Sequence, residues 1–453
     1  MIPASSPLVK SNANLYPNGQ GSDIKTPFYG VAFYPYTAPG IDPIFAVTGG
    51  RETIICRPLP GKQKGAEILQ WFRDEDQYAG LNSCVWSRDL ETGEPLVCVA
   101  GTSPKVKVIN VKTGQLVQTL IGHGNEIEDL AVSPSSPSIL ASASMDHSIR
   151  IWSLDSNHQS NPCNVICAGE GHKEGVLTIA FHHTGRYLVS GGMDCIINLW
   201  ALPELPSKNA GSDKTTILHY PHFSTMAIHS DYVDCIRFFD DLILSKSAQE
   251  GKIVLWKIDG FSSGKPFPNP ETAPTSHDFR ETKSAFGEGY QRLLQFEAPQ
   301  TELFYMRFGF FDSPGMHPVL SIGNTNSKVY FWDLKRFEVY NPNGDVPFRL
   351  PIKRGRRPPG IQRETSIAST TSSSIVPGSN DGQSAIPAAS PAAAARKYDI
   401  SDPFNVIEAH SSIVVPKVSF AARQIAWSVG GEWMVVVGDN GVIALFGREL
   451  INR

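Results

Sequence analysis

Two histidine–aspartate pairs are the residues of this sequence whose types most directly suggest chemistry. His123 precedes Asp146 and His172 precedes Asp194, with serines between the partners of each pair. A histidine–carboxylate couple beside a serine is the arrangement that activates a serine nucleophile. Here, however, the couple recurs at the same place in two successive sequence units, as scaffold does and a single active site does not. We therefore predict that both pairs are structural.

The two units that contain these pairs follow one pattern. They read GHGNEIEDLAVSPSSPSILASASMDHSIRIW, ending at Trp152, and GHKEGVLTIAFHHTGRYLVSGGMDCIINLW, ending at Trp200. Each begins with Gly-His and has an aspartate six positions before its tryptophan, and the histidines lie 49 residues apart. Such a repeat is typical of a WD-repeat blade, a four-stranded antiparallel sheet. We predict a buried network in each unit that joins histidine to aspartate and, through Ser142 or Ser144 in the first unit, to tryptophan.

Composition limits the classes of function that the chain can have. It has 453 residues, a net charge of −4 and seven cysteines, so its surface as a whole is not that of a nucleic-acid binder. No zinc-type cysteine spacing, phosphate loop or nucleophile elbow occurs, and we expect no enzyme activity, no metal and no cofactor. The odd number of cysteines without a secretion signal predicts a reducing compartment, and no apolar run is long enough to span a membrane.

Short β-rich runs between turn residues continue along the chain and predict an all-β fold, a seven-bladed WD-repeat β-propeller with polar insertions between blades. The propeller is expected over residues 27–453, after an N-terminal segment, residues 1–26, that includes a ring-closing strand. We expect the outer strand of blade six at residues 404–409.

Residues 341–399 are rich in Ser, Thr, Ala and Pro, which predicts a disordered insertion. Its basic run Lys353–Arg357 is a candidate for nuclear import or weak nucleic-acid contact.

The first strand of each blade should line the channel. Each of these seven strands has a bulky residue near its end, and we aligned the strands with one another on that residue. Four positions earlier is an even step, which places side chains on the same face. The side chains expected at one mouth of the channel are those of Tyr29, Asn82, Glu128, Leu177, Asp234, Phe304 and Arg423.

The types of these residues suit a cation. The ring contains two aromatic residues, with Tyr232 and Tyr305 beside it, and the acidic residues Glu128 and Asp234. Aromatic faces near carboxylates favour methylated ammonium groups. The alternative is that the aromatic residues pack between blades, because aromatic residues are common in strands.

Several stretches of the sequence resemble the EED, or extra sex combs, family of WD-repeat subunits of Polycomb repressive complexes. They are GHGNEI, DHSIRIW, GHKEGVL, GGMDCIINLW, HFSTMAIHSDYVDCIRFFDDLILSKS, FYMRF and RQIAWS, and they span roughly residues 27–448. The resemblance implies a non-enzymatic nuclear subunit that holds a trimethylated histone tail in an aromatic cage. It also implies an Enhancer-of-zeste-type methyltransferase subunit, bound as a helix on the opposite face and stimulated allosterically, and a Suppressor-of-zeste-type subunit.

The resemblance places the cage at Tyr29, Asn82, Phe304 and Tyr305. Asn82 departs from the family, which normally has an aromatic residue there, so the cage is either three-sided or completed by Tyr78. The residues expected to contact the peptide are Glu128, Tyr232, Asp234, Met306, Arg307 and Arg423. Arg307 and Arg423 are candidates for contacts with the backbone carbonyls of the tail.

A generic interaction adaptor, such as a ubiquitin-ligase substrate receptor, is the alternative function. Such receptors often carry Trp-Asp-x-Arg after the third strand of a blade. The nearest matches here are WDLK, Trp332 to Lys335, and WSLD, Trp152 to Asp155, and both lack the arginine.

Overall fold

A computed structural model describes residues 8–12, 26–38, 41–59, 65–339, 400–416 and 418–448. They form seven sheets, each built on four antiparallel strands, which confirms the predicted seven-bladed propeller. The α-helix Arg336–Val339 has only four residues, and no helix in these ranges is long and apolar enough to cross a membrane. The predicted insertion, residues 341–399 with its basic run Lys353–Arg357, lies outside the described residues.

Each blade runs from an inner first strand to an outer fourth strand. The strands of blade one are Gly30–Phe33, Phe45–Gly49, Glu52–Leu59 and Gly65–Arg73, and those of blade two are Leu81–Arg88, Pro95–Gly101, Lys105–Asn110 and Leu116–Ile121. Blade three has Ile127–Val132, Ile139–Ser144, Ile149–Ser153 and Cys163–Cys167, and blade four has Val176–Phe181, Tyr187–Gly192, Ile197–Ala201 and Phe223–Thr225.

The remaining blades follow the same plan. Blade five has Val233–Phe239, Leu242–Ser247, Lys252–Ile258 and Tyr290–Glu297, and blade six has Gly309–Phe311, Val319–Gly323, Lys328–Asp333 and Ser411–Val414. Blade seven has Ala422–Trp427, Trp433–Gly438 and Ile443–Arg448, and its fourth strand is the N-terminal segment Leu8–Asn12, which pairs antiparallel with Ile443–Arg448.

The apolar core is divided into seven clusters, one between each pair of neighbouring blades. Both faces of the middle strands are buried, as in Ile139–Ser144 and Tyr187–Gly192. These strands therefore read as continuous apolar and small residues rather than as an alternating pattern. Because every blade packs on two neighbours, the first strands lie side by side around a central channel.

The predicted outer strand of blade six, residues 404–409, is wrong. Val406–Ile407 pairs in parallel with Tyr290–Glu297 and extends blade five by a fifth strand, whereas Ser411–Val414 is the outer strand of blade six. Ile407 is buried in the cluster between blades five and six. Residues 406 and 407 are apolar because they lie at this boundary between two blades. The sequence pattern alone does not show which of the two blades their strand joins.

The first strands begin with a β-bulge in five of the seven blades. The strand ladder skips one residue in each, and the skipped residues are Asn82, Glu128, Leu177, Asp234 and Arg423. These are five of the seven residues expected at the channel mouth. A bulge adds a residue and turns its side chain away from the regular alternation, so the even-step argument does not hold across it.

Blade six departs furthest from a regular first strand. Only Gly309–Phe311 joins the ladder, and the segment before it bonds to the neighbouring blades. The Tyr305 N–H donates to the Asp234 carboxylate of blade five at 3.2 Å. The Arg307 N–H donates to the Arg423 carbonyl of blade seven at 2.7 Å. Tyr305 has a φ of 68°, in the left-handed region, which aims this segment at the channel.

Candidate functional site at the channel mouth

The first histidine–aspartate pair is part of a closed structural network. His123 Nδ1 lies 2.9 Å from Asp146 Oδ2, and His123 Nε2 lies 2.7 Å from Ser142 Oγ. The Trp152 indole N–H donates to the same Ser142 oxygen at 2.8 Å. Ser142 therefore links histidine to tryptophan, whereas the Ser144 hydroxyl donates to the Asn125 carbonyl.

The second pair repeats this arrangement in blade four. His172 lies 3.1 Å from an oxygen of Asp194 and 2.8 Å from Ser190 Oγ, to which the Trp200 indole donates at 3.0 Å. The serine is fully buried and holds both its histidine and its tryptophan. A substrate has no access to it, and the network cannot serve as a nucleophile.

Blade five contains a third copy of the network that our sequence analysis missed. His229 lies 2.6 Å from Glu250 Oε2 and 2.8 Å from Ser245 Oγ, to which the Trp256 indole donates at 3.0 Å. Glutamate replaces aspartate here, and no Gly-His precedes the unit. The signal that would have found it is the acidic residue six positions before the tryptophan, which all three copies share.

The acidic residues of the first and third networks have lowered pKa values, which favour their ionised, carboxylate form. Burial by itself would raise the pKa of Asp146, but the His123 ring, the Ser148 hydroxyl and the Gly124 N–H hold that pKa well below its usual range. Glu250 has a similarly lowered pKa through His229 and Ser230, against the effect of burial. Burial lowers the pKa of the His229 ring, which favours a neutral histidine beside its carboxylate.

Three aromatic rings from blades one and six meet at the channel mouth. The Tyr29 and Tyr305 rings are edge to face at 5.6 Å between centroids, and those of Phe304 and Tyr305 at 5.5 Å. Phe304 is 41% exposed, Tyr29 is half-buried and Tyr305 is buried. The Arg423 guanidinium lies 5.4 Å from the centre of the Tyr29 ring. The cluster thus has both a solvent-facing aromatic side and a ring that already stacks with a cation.

Asn82 and Glu128 form a polar side of this cluster. Asn82 Nδ2 donates to Glu128 Oε2 at 3.2 Å, and the Tyr305 hydroxyl donates to the Glu128 backbone carbonyl. Asn82 Oδ1 is enclosed and has no hydrogen-bond partner among the residues that the structure describes. Asn82, Glu128 and Tyr305 are therefore in direct contact, although they come from blades two, three and six.

Glu128 is a buried carboxyl group with an altered pKa. Burial raises its pKa from 4.5 to about 7, and the carboxylates of Glu126 and Asp129 add to the shift, while Arg307 opposes it. The group is therefore partly ionised near neutral pH, at a position where a cationic ligand would meet it.

Arg307 crosses the channel and its side chain is buried, and its contact with a tail stays a prediction. Its guanidinium donates to Asp129 Oδ1 at 2.6 Å and to the carbonyls of Glu128 and Leu177 at 3.1 and 3.0 Å. It also stacks on the Tyr305 ring at 4.5 Å. Because these bonds run from blade six to blades three and four, the arginine holds the ring together across its axis.

Asp234 and Met306 are also inside the protein. Asp234 is 1% exposed and pairs with the buried Lys246 ammonium at 3.2 Å, and Met306 is fully buried. Burial raises the pKa of Asp234, although Lys246 and Arg307 act against the shift. A tail would have to displace their neighbours to reach either side chain, and their contact with a tail stays a prediction.

Arg423, Tyr232 and Tyr78 remain accessible. Arg423 is half-buried and donates to the Phe304 carbonyl at 2.8 Å and to Asp439 at 2.7 Å. Tyr232 is 39% exposed and Tyr78 is 81% exposed. Among the described residues, no ring contact joins Tyr78 to Tyr29, Phe304 or Tyr305, so its role as a fourth wall stays a prediction.

A family model agrees with the repeats seen in the sequence. The model described as WD domain, G-beta repeat matches residues 114–153 and 163–201. The first range covers the fourth strand of blade two and the first three strands of blade three, and the second covers the fourth strand of blade three and the first three strands of blade four. The first two histidine networks lie within these ranges.

The chain is also similar to a named protein and to solved complexes. It is 37% identical to Polycomb protein EED of Chaetomium thermophilum, over 95% of this chain and 92% of that protein. A chain of the Chaetomium thermophilum polycomb repressive complex 2 (PRC2) is 34% identical, with a TM-score of 0.81 and 98% of each chain covered. A chain of ctPRC2 in complex with H3K27me3 and H3K27M is 35% identical, with a TM-score of 0.78, covering 93% of this chain and 94% of that one.

Proposed function

Because the chain belongs to the family of Polycomb EED proteins, we propose that it reads a trimethylated lysine of a histone tail within a nuclear histone methyltransferase complex. As a WD-repeat propeller of this family, it is a non-catalytic subunit. The similar chain of ctPRC2 belongs to a complex that contains H3K27me3, which supports a trimethylated tail as the ligand.

The observation that carries the proposal is the cluster of Tyr29, Phe304 and Tyr305 at the channel mouth. The Tyr29 and Phe304 rings each meet the Tyr305 ring edge to face, and Phe304 presents an aromatic side chain to solvent. Trimethylammonium is attracted to aromatic faces and loses little on leaving water, because it has no N–H groups to satisfy. The nearby Glu128 carboxyl adds negative charge when it is ionised.

Substitution of Phe304 tests the reader function with little risk to the fold, since its side chain is already 41% exposed. We expect the wild-type chain to bind a trimethylated histone-tail peptide and Phe304→Ala to bind it about tenfold more weakly, a loss of about 1.4 kcal/mol. Calorimetric titration with trimethylated and unmodified peptides measures the difference.

The matched control for this experiment is Phe279→Ala. Phe279 is 91% exposed and lies outside the aromatic cluster, so its removal should leave the affinity unchanged. Equal affinity of the wild type and Phe304→Ala for the trimethylated peptide would contradict the cage. Tyr305→Ala is a poorer variant, since Tyr305 is buried beneath Arg307 and its truncation would leave a cavity.

The proposal also includes assembly with an Enhancer-of-zeste-type methyltransferase and a Suppressor-of-zeste-type subunit. We expect the three proteins to co-purify, and a trimethylated peptide to raise the rate of methyl transfer by the assembled complex. The rate enhancement should be smaller with Phe304→Ala, because stimulation requires a peptide-bound cage. Co-purification with a cullin ligase and no methyltransferase would instead support the adaptor function.

A further inference from the structure

One side of the proposed cage is polar, and its position beside the aromatic rings is well defined. Gly30, which follows Tyr29, lies so close to blade two that an added Cβ would be 3.2 Å from the Asn82 carbonyl oxygen. On the other side, the Tyr305 hydroxyl bonds to the Glu128 backbone. Asn82 and Glu128 thus connect the two tyrosines of the cluster.

This polar side has hydrogen-bond acceptors that no described residue of the chain uses. Asn82 Nδ2 holds Glu128 Oε2 at 3.2 Å, and Glu128 Oε1 receives no hydrogen bond within the described part of the chain. Asn82 Oδ1 is enclosed and accepts no hydrogen bond from any residue in the described ranges. Glu128 Oε1 is therefore available to accept a hydrogen bond from a ligand that brings an N–H donor.

Lysine methylation states differ in the donors that they bring. Trimethyl-lysine has no N–H, dimethyl-lysine has one and monomethyl-lysine has two, while all three carry a positive charge. An N–H to carboxylate hydrogen bond is roughly twice as strong as a neutral one. Asparagine in place of an aromatic wall, by contrast, removes a cation–π contact that trimethyl-lysine would have used.

We infer that the Asn82–Glu128 pair sets the methylation-state specificity of this site, so that it takes dimethyl-lysine at least as well as trimethyl-lysine. The inference rests on the proposed reader function and names the ligand class of the same pocket. Asn82 acts by holding the Glu128 carboxyl toward the ligand, and Glu128 Oε1 accepts the N–H of the dimethylammonium group.

The test compares four peptides of one sequence whose lysine is unmodified, monomethylated, dimethylated or trimethylated. The proteins are the wild type, Asn82→Tyr, which supplies an aromatic wall, and Asn82→Leu, which keeps the volume but removes the amide. For the wild type we expect the dimethyl peptide to bind as tightly as the trimethyl peptide or more tightly. Asn82→Tyr should shift the preference toward trimethyl-lysine by about tenfold.

Asn82→Leu separates the two effects, since it weakens dimethyl binding without adding an aromatic wall, and a thermal melt checks that both variants fold. Tighter wild-type binding to the trimethyl peptide than to the dimethyl peptide would overturn the inference. In that case methyl-dependent binding that is lost in Phe304→Ala would leave the reader function standing. Equal binding of all four peptides would overturn the reader function, and the inference with it.

Discussion

At the scale of single residues, Glu128 is the group whose environment most affects how the site behaves. It is 8% exposed and lies at a bulge. Asn82 donates to its carboxyl group, and Arg307 donates to its backbone carbonyl. Burial favours its neutral form and raises its pKa to about 7. Its folded pKa therefore lies above its unfolded value, and the native state holds the proton more tightly between about pH 4.5 and pH 7.

Glu128→Gln should show this effect as a pH-dependent change in stability. The stability that the raised pKa confers is complete below about pH 4.5 and is lost as the pH rises through about 7. The glutamine variant, which never ionises, should match the wild type near pH 4 and be more stable than it by roughly 1–3 kcal/mol at pH 8.5. Urea denaturation at both pH values measures this, and an equal difference at both would contradict the assigned burial.

At the scale of elements, each histidine network ties the loop before a first strand to the second and third strands of the same blade. Ser245 in blade five is bonded to both His229 and Trp256, and its second strand is buried throughout. The third network should therefore stabilise its blade as the first two do, even though glutamate takes the place of aspartate.

Ser245→Ala should cost about 1–3 kcal/mol of unfolding free energy, because it leaves a buried histidine nitrogen and an indole N–H without their partner. Ser142→Ala in blade three should cost a similar amount. The control is Ser160→Ala, an exposed position where the change should stay within about 0.5 kcal/mol. Denaturant midpoints measure all three, and a Ser245→Ala midpoint equal to the control would show that blade five does not depend on its network.

The number of blades could be predicted from the sequence, whereas the contacts between blades could not. Local periodicity and the Gly-His and Trp spacing predicted seven blades, because each blade is formed by consecutive strands. The pattern placed FYMRF in a regular strand, but Tyr305 and Arg307 bond to blades five and seven instead. Likewise, no local signal assigns residues 406–407 to blade five. Such pairings depend on residues far away in the chain.

The site was predictable in its residue types and less so in their accessibility. Tyr29, Phe304 and Tyr305 were expected together and the structure brings them together. Arg307, Asp234 and Met306 are buried, unlike the accessible residues of the mouth. Their burial is visible only in the three-dimensional structure, because a charged residue predicted at a channel mouth is expected to be exposed. The bulges, which set where the mouth side chains point, also leave no mark in the sequence.

At the scale of the whole molecule, the channel is bridged rather than open. Arg307 reaches from blade six to blade three and blade four, and Asp129 also bonds to Thr178 and to the Ile179 N–H of blade four. The closing strand Leu8–Asn12 joins the ring at its outer edge. The propeller is thus held together at its perimeter by strand pairing and at its axis by a buried ion pair.

Arg307→Met should destabilise the protein by about 3–5 kcal/mol, because it leaves the Asp129 carboxylate buried without its partner. The control is Arg280→Met, where the lost pair with Asp278 is exposed and should cost less than about 1 kcal/mol. Urea denaturation compares the two. If both variants had the same midpoint, the bridge across the channel would not stabilise the ring.

The bulges at the channel mouth have a consequence for how the protein can evolve. A residue that the strand ladder skips, such as Asn82, can be exchanged without shifting the register of its sheet. Under the proposed reader function, selection at that position acts through the ligand more than through the strand pairing. Related propellers are accordingly free to diverge in the methylation mark that they recognise while they keep the same scaffold, one substitution at a time.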